Sequence, residues 1–301
     1  MQTSPGRNFE LFRVQGIPVR IHRMLLILMG LIVLMAANPT PEGSAASNML
    51  STFLALTILF ATVLMHELGH ALVARRVGVQ VSEITLWPLG GMAMMQHMPE
   101  DSRVESAIAS AGPLVNLLCG AVLLGLWIPM EGGWDGSALL DTRVDSLTRA
   151  VGFFALCHLA LGIFNLLPAF PMDGGKMLRA HLAKTRDWLP ATEAAAKVGR
   201  NLAWAMLFAS IAFGMWGLFF VSVYLFFAGT RELWATRLKH MTGGSNPMEE
   251  MLRNMGGRGF PDPSEQPPQE ESAPSPSRGF SDEDIARMEA EKGSISKKSQ
   301  D

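Results

Sequence analysis

The chain has 301 residues, 49% hydrophobic and only 17% charged, with a formal net charge of −2 and a mean hydropathy of +0.22. A soluble globular chain carries about 25% charged residues, so this balance excludes an ordinary soluble domain. With no basic cluster, it also excludes a nucleic-acid partner. Cys119 and Cys157 both sit in apolar runs and read as small core residues rather than a disulfide or a metal pair.

Residues 1–23 are polar and carry Arg7, Arg13, Arg20 and Arg23 ahead of an apolar run, Met24 to Ala37. A secretory signal peptide is rejected, because the preceding region is long and later stretches repeat the pattern. The run is short against the ~20 residues a span needs, so Ile17–His22 is expected in the interface with its arginines snorkelling. Pro, Gly and Ser make Asn38 to Asn48 a loop. A second span covers roughly 51–74 and ends at Arg75 and Arg76. Val79 to Leu86 partly alternates apolar and polar, Pro88 with Gly90 and Gly91 makes a turn, and Met92 to His97 returns. A small interfacial β-hairpin fits this pattern; an irregular loop is the alternative.

The third span runs roughly 104–128 and contains Gly112, Pro113 and Asn116. Gly112 admits a neighbouring helix, and Asn116 lies on the same face as a substrate contact or a structural amide. A polar loop (131–145) leads to a fourth span at 149–167. It breaks in a stretch holding Asn165, Pro168, Pro171, Asp173, Gly174 and Gly175. Lys176, Arg179, His181, Lys184 and Arg186 mark 176–186 as a cationic, surface-lying segment. Two apolar stretches, 198–213 and 215–230, follow around Gly214 and Gly217 as two spans, or as one broken span. The expected fold is an all-α membrane protein with six transmembrane helices and one small hairpin in the bilayer interface.

Nearly all flanking arginines and lysines fall on one side of these spans, with Arg143 and Arg149 on the other. The positive-inside rule then puts both termini in the cytoplasm, with the Arg75 end of the second span. Residues 1–240 read as the polytopic membrane domain. Residues 241–301, rich in Pro, Ser and Glu, read as a disordered cytoplasmic tail.

The chemistry centres on Met65-His66-Glu67-Leu68-Gly69-His70, an H-E-x-x-H pattern inside the second span. Residues four apart share a helix face, so His66 and His70 aim at one ion while Glu67 sits beside them. Zinc suits two such histidines with a third ligand and an open position. The preceding Thr52 to Met65 holds no charge, and a charged group there costs about 2.5–3.5 kcal/mol on insertion scales. At 1.5 Å per residue the histidines lie about 7–14 Å inside the arginine end, near one surface and within reach of water. Asp173, presented on the Pro- and Gly-rich break, is the best remaining oxygen donor for the ion. The alternative is a helix cap for the segment that follows.

These separated motifs resemble the site-2 protease family of intramembrane zinc metalloproteases. The resemblance covers about residues 10–235. It rests on His66-Glu67-Leu68-Gly69-His70, on Gly112-Pro113 with Asn116, and on Asn165, Pro168 and Asp173-Gly174, with Pro88 to Gly91 and Ile17-Pro18 in support. It implies a three-helix catalytic core, one zinc per chain held by His66, His70 and Asp173, and Glu67 as the catalytic acid/base. It implies a membrane-protein substrate, cut in or near its transmembrane segment, in the cell membrane of a prokaryote. The 78–103 segment is too short for a PDZ-like insertion, and no paired nucleotide-sensing domain follows the last span, which points to the six-span branch.

The substrate helix must unwind before cleavage, and a hairpin edge at Gly90 and Gly91 offers it β-addition. Asn116 and Asn165 are further candidates for substrate binding, with His97 a weaker one. Two rivals differ in class. A zinc transporter needs polar groups through the whole depth of the bilayer, whereas here they cluster at one end. An inactive scaffold has no need of Glu67.

Overall fold

Residues 8–22 and 80–96 both alternate, and both become strands. The computed structural model describes residues 8–241 except Glu42, Leu89 and His97; His97 and the expected C-terminal tail therefore lie outside the described residues. Strands β1 (Asn8–Val14) and β2 (Ile17–His22) form a hairpin closed by Gln15 and Gly16, both at positive φ, the two-residue turn that matches strand twist. Strands β3 (Gln80–Trp87) and β4 (Gly90–Gln96) form a second antiparallel hairpin. β2 pairs parallel with β3, giving one four-stranded sheet in the order β1-β2-β3-β4.

This corrects two expectations. The sheet is twice the anticipated hairpin, because Ile17, Val19 and Ile21 alternate along a strand that pairs with β3. Arg20 does not snorkel; it pairs with the buried Glu83 on β3 and with Glu10 on β1.

The helices follow from the apolar runs. α1 (Arg23–Met35) is capped by the His22 side chain. α2 (Ala45–Arg76) begins at a Ser44 cap and carries the H-E-x-x-H pattern in its last third. α3 (Ser102–Glu131) is capped by Asp101, contains Pro113 and Pro129, and ends at Gly132 in the left-handed conformation. A short α4 (Gly136–Leu139) precedes α5 (Leu147–Asn165). α6 (Asp173–Leu182) follows the break, and α7 (Trp188–Phe213) and α8 (Trp216–Met241) are joined by a tight turn at Gly214. Among the described residues four helices, α2, α3, α5 and α8, are long and apolar enough to cross a membrane; α1 is apolar but short.

Lipid tails are as apolar as leucine, so spans associate by close packing rather than by the hydrophobic effect. α3 and α5 do this with small residues: a Cβ on Gly120 would meet Leu159, one on Gly152 the Trp127 indole, and one on Gly162 Leu117. α2 and α3 do it at Gly69, where a Cβ would lie 2.9 Å from the Ala111 carbonyl oxygen. Of the cationic segment 176–186, His181, Lys184 and Arg186 are exposed as expected, but Arg179 is not. Arg179 is buried, its guanidinium 2.8 Å from Glu232 on α8 and 2.5–3.2 Å from both carboxylate oxygens of Glu105 on α3. It also stacks against the Phe170 and Trp188 rings. The short α6 is thereby fixed against two spans, and Asp173 at its first position is fixed with it.

Candidate metal centre and catalytic site

The helical pitch of α2 brings His66 and His70 to one face, and α6 supplies Asp173 opposite them. His66 Nε2 and His70 Nε2 are 3.1 Å apart, and Asp173 Oδ2 lies 3.1 and 3.0 Å from them. All three residues are buried, at 5%, 6% and 3% exposure. Zinc–nitrogen and zinc–oxygen bonds of about 2.0–2.2 Å in a tetrahedron put ligand atoms roughly 3.3 Å apart, so this triangle needs only a slight expansion to hold the ion. Two imidazoles and a carboxylate are also the donor types zinc takes when a fourth position stays open. Among the described residues this is the group of three or more candidate ligands that meets at one point.

The surroundings fit a metal site. His70 Nδ1 lies 2.7 Å from the Ile108 carbonyl oxygen, so it donates there and leaves Nε2 free as a ligand. Asp173 does not cap α6: the N-cap is Met172, without a side-chain bond, and the carboxylate faces the histidines while Lys176 donates to its Oδ1 at 3.0 Å. Burial alone would raise the Asp173 carboxyl. The hydrogen bonds with His66 and His70, with the Lys176 charge, outweigh it and hold the group well below the ordinary carboxylate range. An ionised carboxylate is the form that binds metal.

Three glycines make the site possible. A Cβ on Gly112 of α3 would collide with His70 Nε2 and stand 2.8 Å from His66 Cε1. A Cβ on Gly174 would strike the Leu166 and Leu167 carbonyl oxygens, and one on Gly175 would stand 2.7 Å from the Phe170 nitrogen. The Asp-Gly-Gly run therefore packs α6 directly on the chain that leads into it.

Glu67 points toward the sheet. Its Oε2 accepts a hydrogen bond from the Ala93 backbone N–H at 3.0 Å. β4 is an edge strand, so Ala93 turns to Glu67 the edge that β3 does not use. A Cβ on Gly91 would lie 2.5 Å from Glu67 Cγ, so this glycine lets β4 rest on the glutamate. Gly90 takes a φ of +137° with open space around it and serves the turn.

The two asparagines are placed differently from each other. Asn165 ends α5 half-buried, and its amide donates to the Leu161 carbonyl of its own helix at 2.9 Å. Asn116 is fully buried behind His66, its amide 3.3 Å from His66 Nδ1 and 3.2 Å from His158 Nδ1. The structure thus brings His66, His70 and Asp173 together, sets Glu67 against β4, and leaves Asn116 behind a ligand rather than on the cleft. Sequence reasoning missed His158 and Arg179. Both carried a signal: His158 is an ionisable residue in the middle of an apolar span, and Arg179 follows Asp173 at six residues' distance on a short helix.

A buried His–His–carboxylate set, fitted to one zinc ion and flanked by a glutamate, is the arrangement of a metal-dependent hydrolase, here carried on membrane helices. Residues 54–210 match the model of Peptidase family M50, and the chain belongs to that family. It is 35% identical over 225 residues to a zinc metalloprotease of Methanocaldococcus jannaschii, a match covering 75% of this chain and 60% of that protein. The chain thus spans three fifths of the length of that curated relative. The solved structure of a site-2 protease from the same organism aligns with a TM-score of 0.51 at 33% identity, over 75% of this chain and 95% of that one.

Proposed function

We propose that this protein is an intramembrane zinc metalloprotease that hydrolyses peptide bonds in or near the transmembrane segments of membrane-protein substrates. The observation that carries this is the His66–His70–Asp173 triangle of 3.0–3.1 Å edges with Glu67 one residue along the same helix. A zinc ion held by these three residues would supply Lewis-acid polarisation of the scissile carbonyl and a lowered water pKa. Glu67 takes the proton of the attacking water and hands it to the leaving amine.

An unwound substrate segment pairs with the outer edge of β4. Period two puts Gly91, Ala93 and Met95 on that edge; Gly90 has open space around it, while Gly91 packs on Glu67 and the Ala93 N–H is held by that side chain. Asn165, at the end of α5, is the further candidate to hold the substrate backbone. The amide of Asn116 is taken up behind His66, which favours a supporting role there over substrate contact.

The same reading assigns six spans to α1, α2, α3, α5, α7 and α8. The arginine and lysine distribution supports cytoplasmic termini in a prokaryotic cell membrane, with residues 1–240 as the metalloprotease domain. The test is co-expression with a panel of tagged single-span proteins. Wild type is expected to release a cleaved fragment that Glu67→Gln does not; identical fragments from both would remove the proposed reaction.

A further inference from the structure

We infer that His158 is a positioning residue of the metal centre, acting on His66 through the side-chain amide of Asn116. The inference rests on His66 being a zinc ligand through Nε2. A neutral imidazole that gives Nε2 to a metal carries its proton on Nδ1. That Nδ1–H is buried and requires an acceptor. As placed, the Asn116 amide nitrogen Nδ2 faces it at 3.3 Å and the oxygen Oδ1 lies 3.2 Å from His158 Nδ1, so a metal-bound His66 calls for the amide turned end for end. Both residues are fully buried.

Only one orientation of that amide suits a metal-bound His66. Its oxygen must face His66 Nδ1–H, and its NH2 group must then face His158. A half-turn of the amide exchanges oxygen and nitrogen within the same volume, so sterics do not choose between the two orientations. His158 can match the required one: in the tautomer with a lone pair on Nδ1 it accepts from the amide NH2, which an apolar side chain in its place cannot do. The proton of His158 is then on Nε2, an atom that is buried and has no hydrogen-bond partner. The His158 residue borders a groove lined by Met65, Leu118, Cys119, Val122, Leu123 and Phe154. The arrangement runs from α2 through α3 to α5 and leaves one buried donor, His158 Nε2–H, without a partner at its far end. It also accounts for an imidazole in the middle of an otherwise apolar helix.

The test measures zinc affinity by chelator competition in the purified full chain, with cobalt(II) absorption as a second readout of ligand geometry. His66→Ala reports whether His66 holds the metal at all. His158→Leu removes the acceptor and is expected to weaken zinc binding about 10-fold, the lower end for losing an outer partner of a metal ligand, with an altered cobalt spectrum. His158→Asn keeps an acceptor near the Nδ1 position and is expected to stay within about two-fold of wild type by the same measure. Where the leucine variant does not fold, His158→Gln replaces it, because its amide reaches the Nε2 position instead. Wild-type affinity in His158→Leu, beside a loss in His66→Ala, overturns the inference and leaves the metal site standing. Equal weakening in His158→Asn and His158→Leu also overturns it, since His158 then acts by packing alone. Unchanged metal content in His66→Ala removes the zinc reading on which the inference stands.

Discussion

The α2–α3–α5–α6 cluster and the α7–α8 pair both carry buried polar groups among apolar helices, and they satisfy them in opposite ways. In α7 and α8 the four buried hydroxyls of Thr192, Ser210, Ser222 and Thr236 each bond to a carbonyl of their own helix at 2.7–3.1 Å. In the first cluster Thr62 also bonds to its own helix, but the charged, imidazole and amide groups of His66, His70, Glu105, Asn116, His158, Asp173 and Arg179 all bond across elements. A helix that satisfies itself tolerates loss of a neighbour. A group satisfied across elements fails with its partner, because a buried polar atom left alone costs its full desolvation. In this protein the groups of the candidate metal centre, and the Arg179 ion pairs that hold α6 beside it, have their partners on different elements.

The largest expected effect is on the reaction itself. Glu67→Gln should lower cleavage by about 10²–10⁴-fold, the range for losing a positioned acid/base. Zinc content should stay normal, because Glu67 is no ligand and glutamine still accepts from Ala93. Metal analysis of the purified variant separates this outcome from a collapsed site.

Ion pairs sharpen the contrast next. Arg179→Met leaves Glu105 buried and unpaired and should cost about 3–5 kcal/mol in thermal stability, while Arg179→Met with Glu105→Met should recover most of it. Arg237 pairs with Glu193 between α7 and α8 at 2.6 Å, but both side chains are over 40% exposed. Arg237→Met should cost less than about 1 kcal/mol. Equal losses from the two single variants would erase the distinction between the regions.

Glycine gives a finer comparison. Gly112→Ala drives a methyl group into both histidine rings and should halve zinc occupancy or worse, at an overpacking cost of about 1–3 kcal/mol. Gly229→Ala on α8 meets nothing nearer than the Phe170 carbonyl oxygen at 3.9 Å. It should raise the melting temperature slightly, since alanine is favoured in a helix by about 0.8–1.0 kcal/mol. A drop with Gly229→Ala would show that α8 packs more tightly than its surface implies.

The smallest effect is expected outside both regions. Truncation after Met241 should leave zinc content unchanged and cleavage of a short membrane substrate largely intact, because 242–301 lacks the H-E-x-x-H pattern and any apolar periodicity. Lost cleavage at normal zinc content would make that segment part of the machinery.

The local parts of this protein were legible in the sequence because they depend on residues close along the chain. Helical pitch alone aligns His66 with His70 and places Glu67 beside them. Proline and glycine alone break the chain before Asp173, and charge depletion alone marks the apolar runs read as six spans, of which α2, α3, α5 and α8 are long and apolar enough to cross a membrane. The strand pattern of β1 and β2 was also present, in the alternation of Ile17, Val19 and Ile21 after the Gln15-Gly16 turn, although a polar opening segment concealed it. What no local pattern carries is which groups meet. That β2 lies parallel to β3, that Ala93 bonds to Glu67, that Arg179 turns inward to Glu105, and that Asn116 stands between His66 and His158 are pairings across 26 to 74 residues. Such pairings arise because a buried donor or acceptor must find a partner wherever packing brings one, and the close approach of backbones at Gly69 and Gly174, and of the histidine rings to Gly112, decides which partners come within reach.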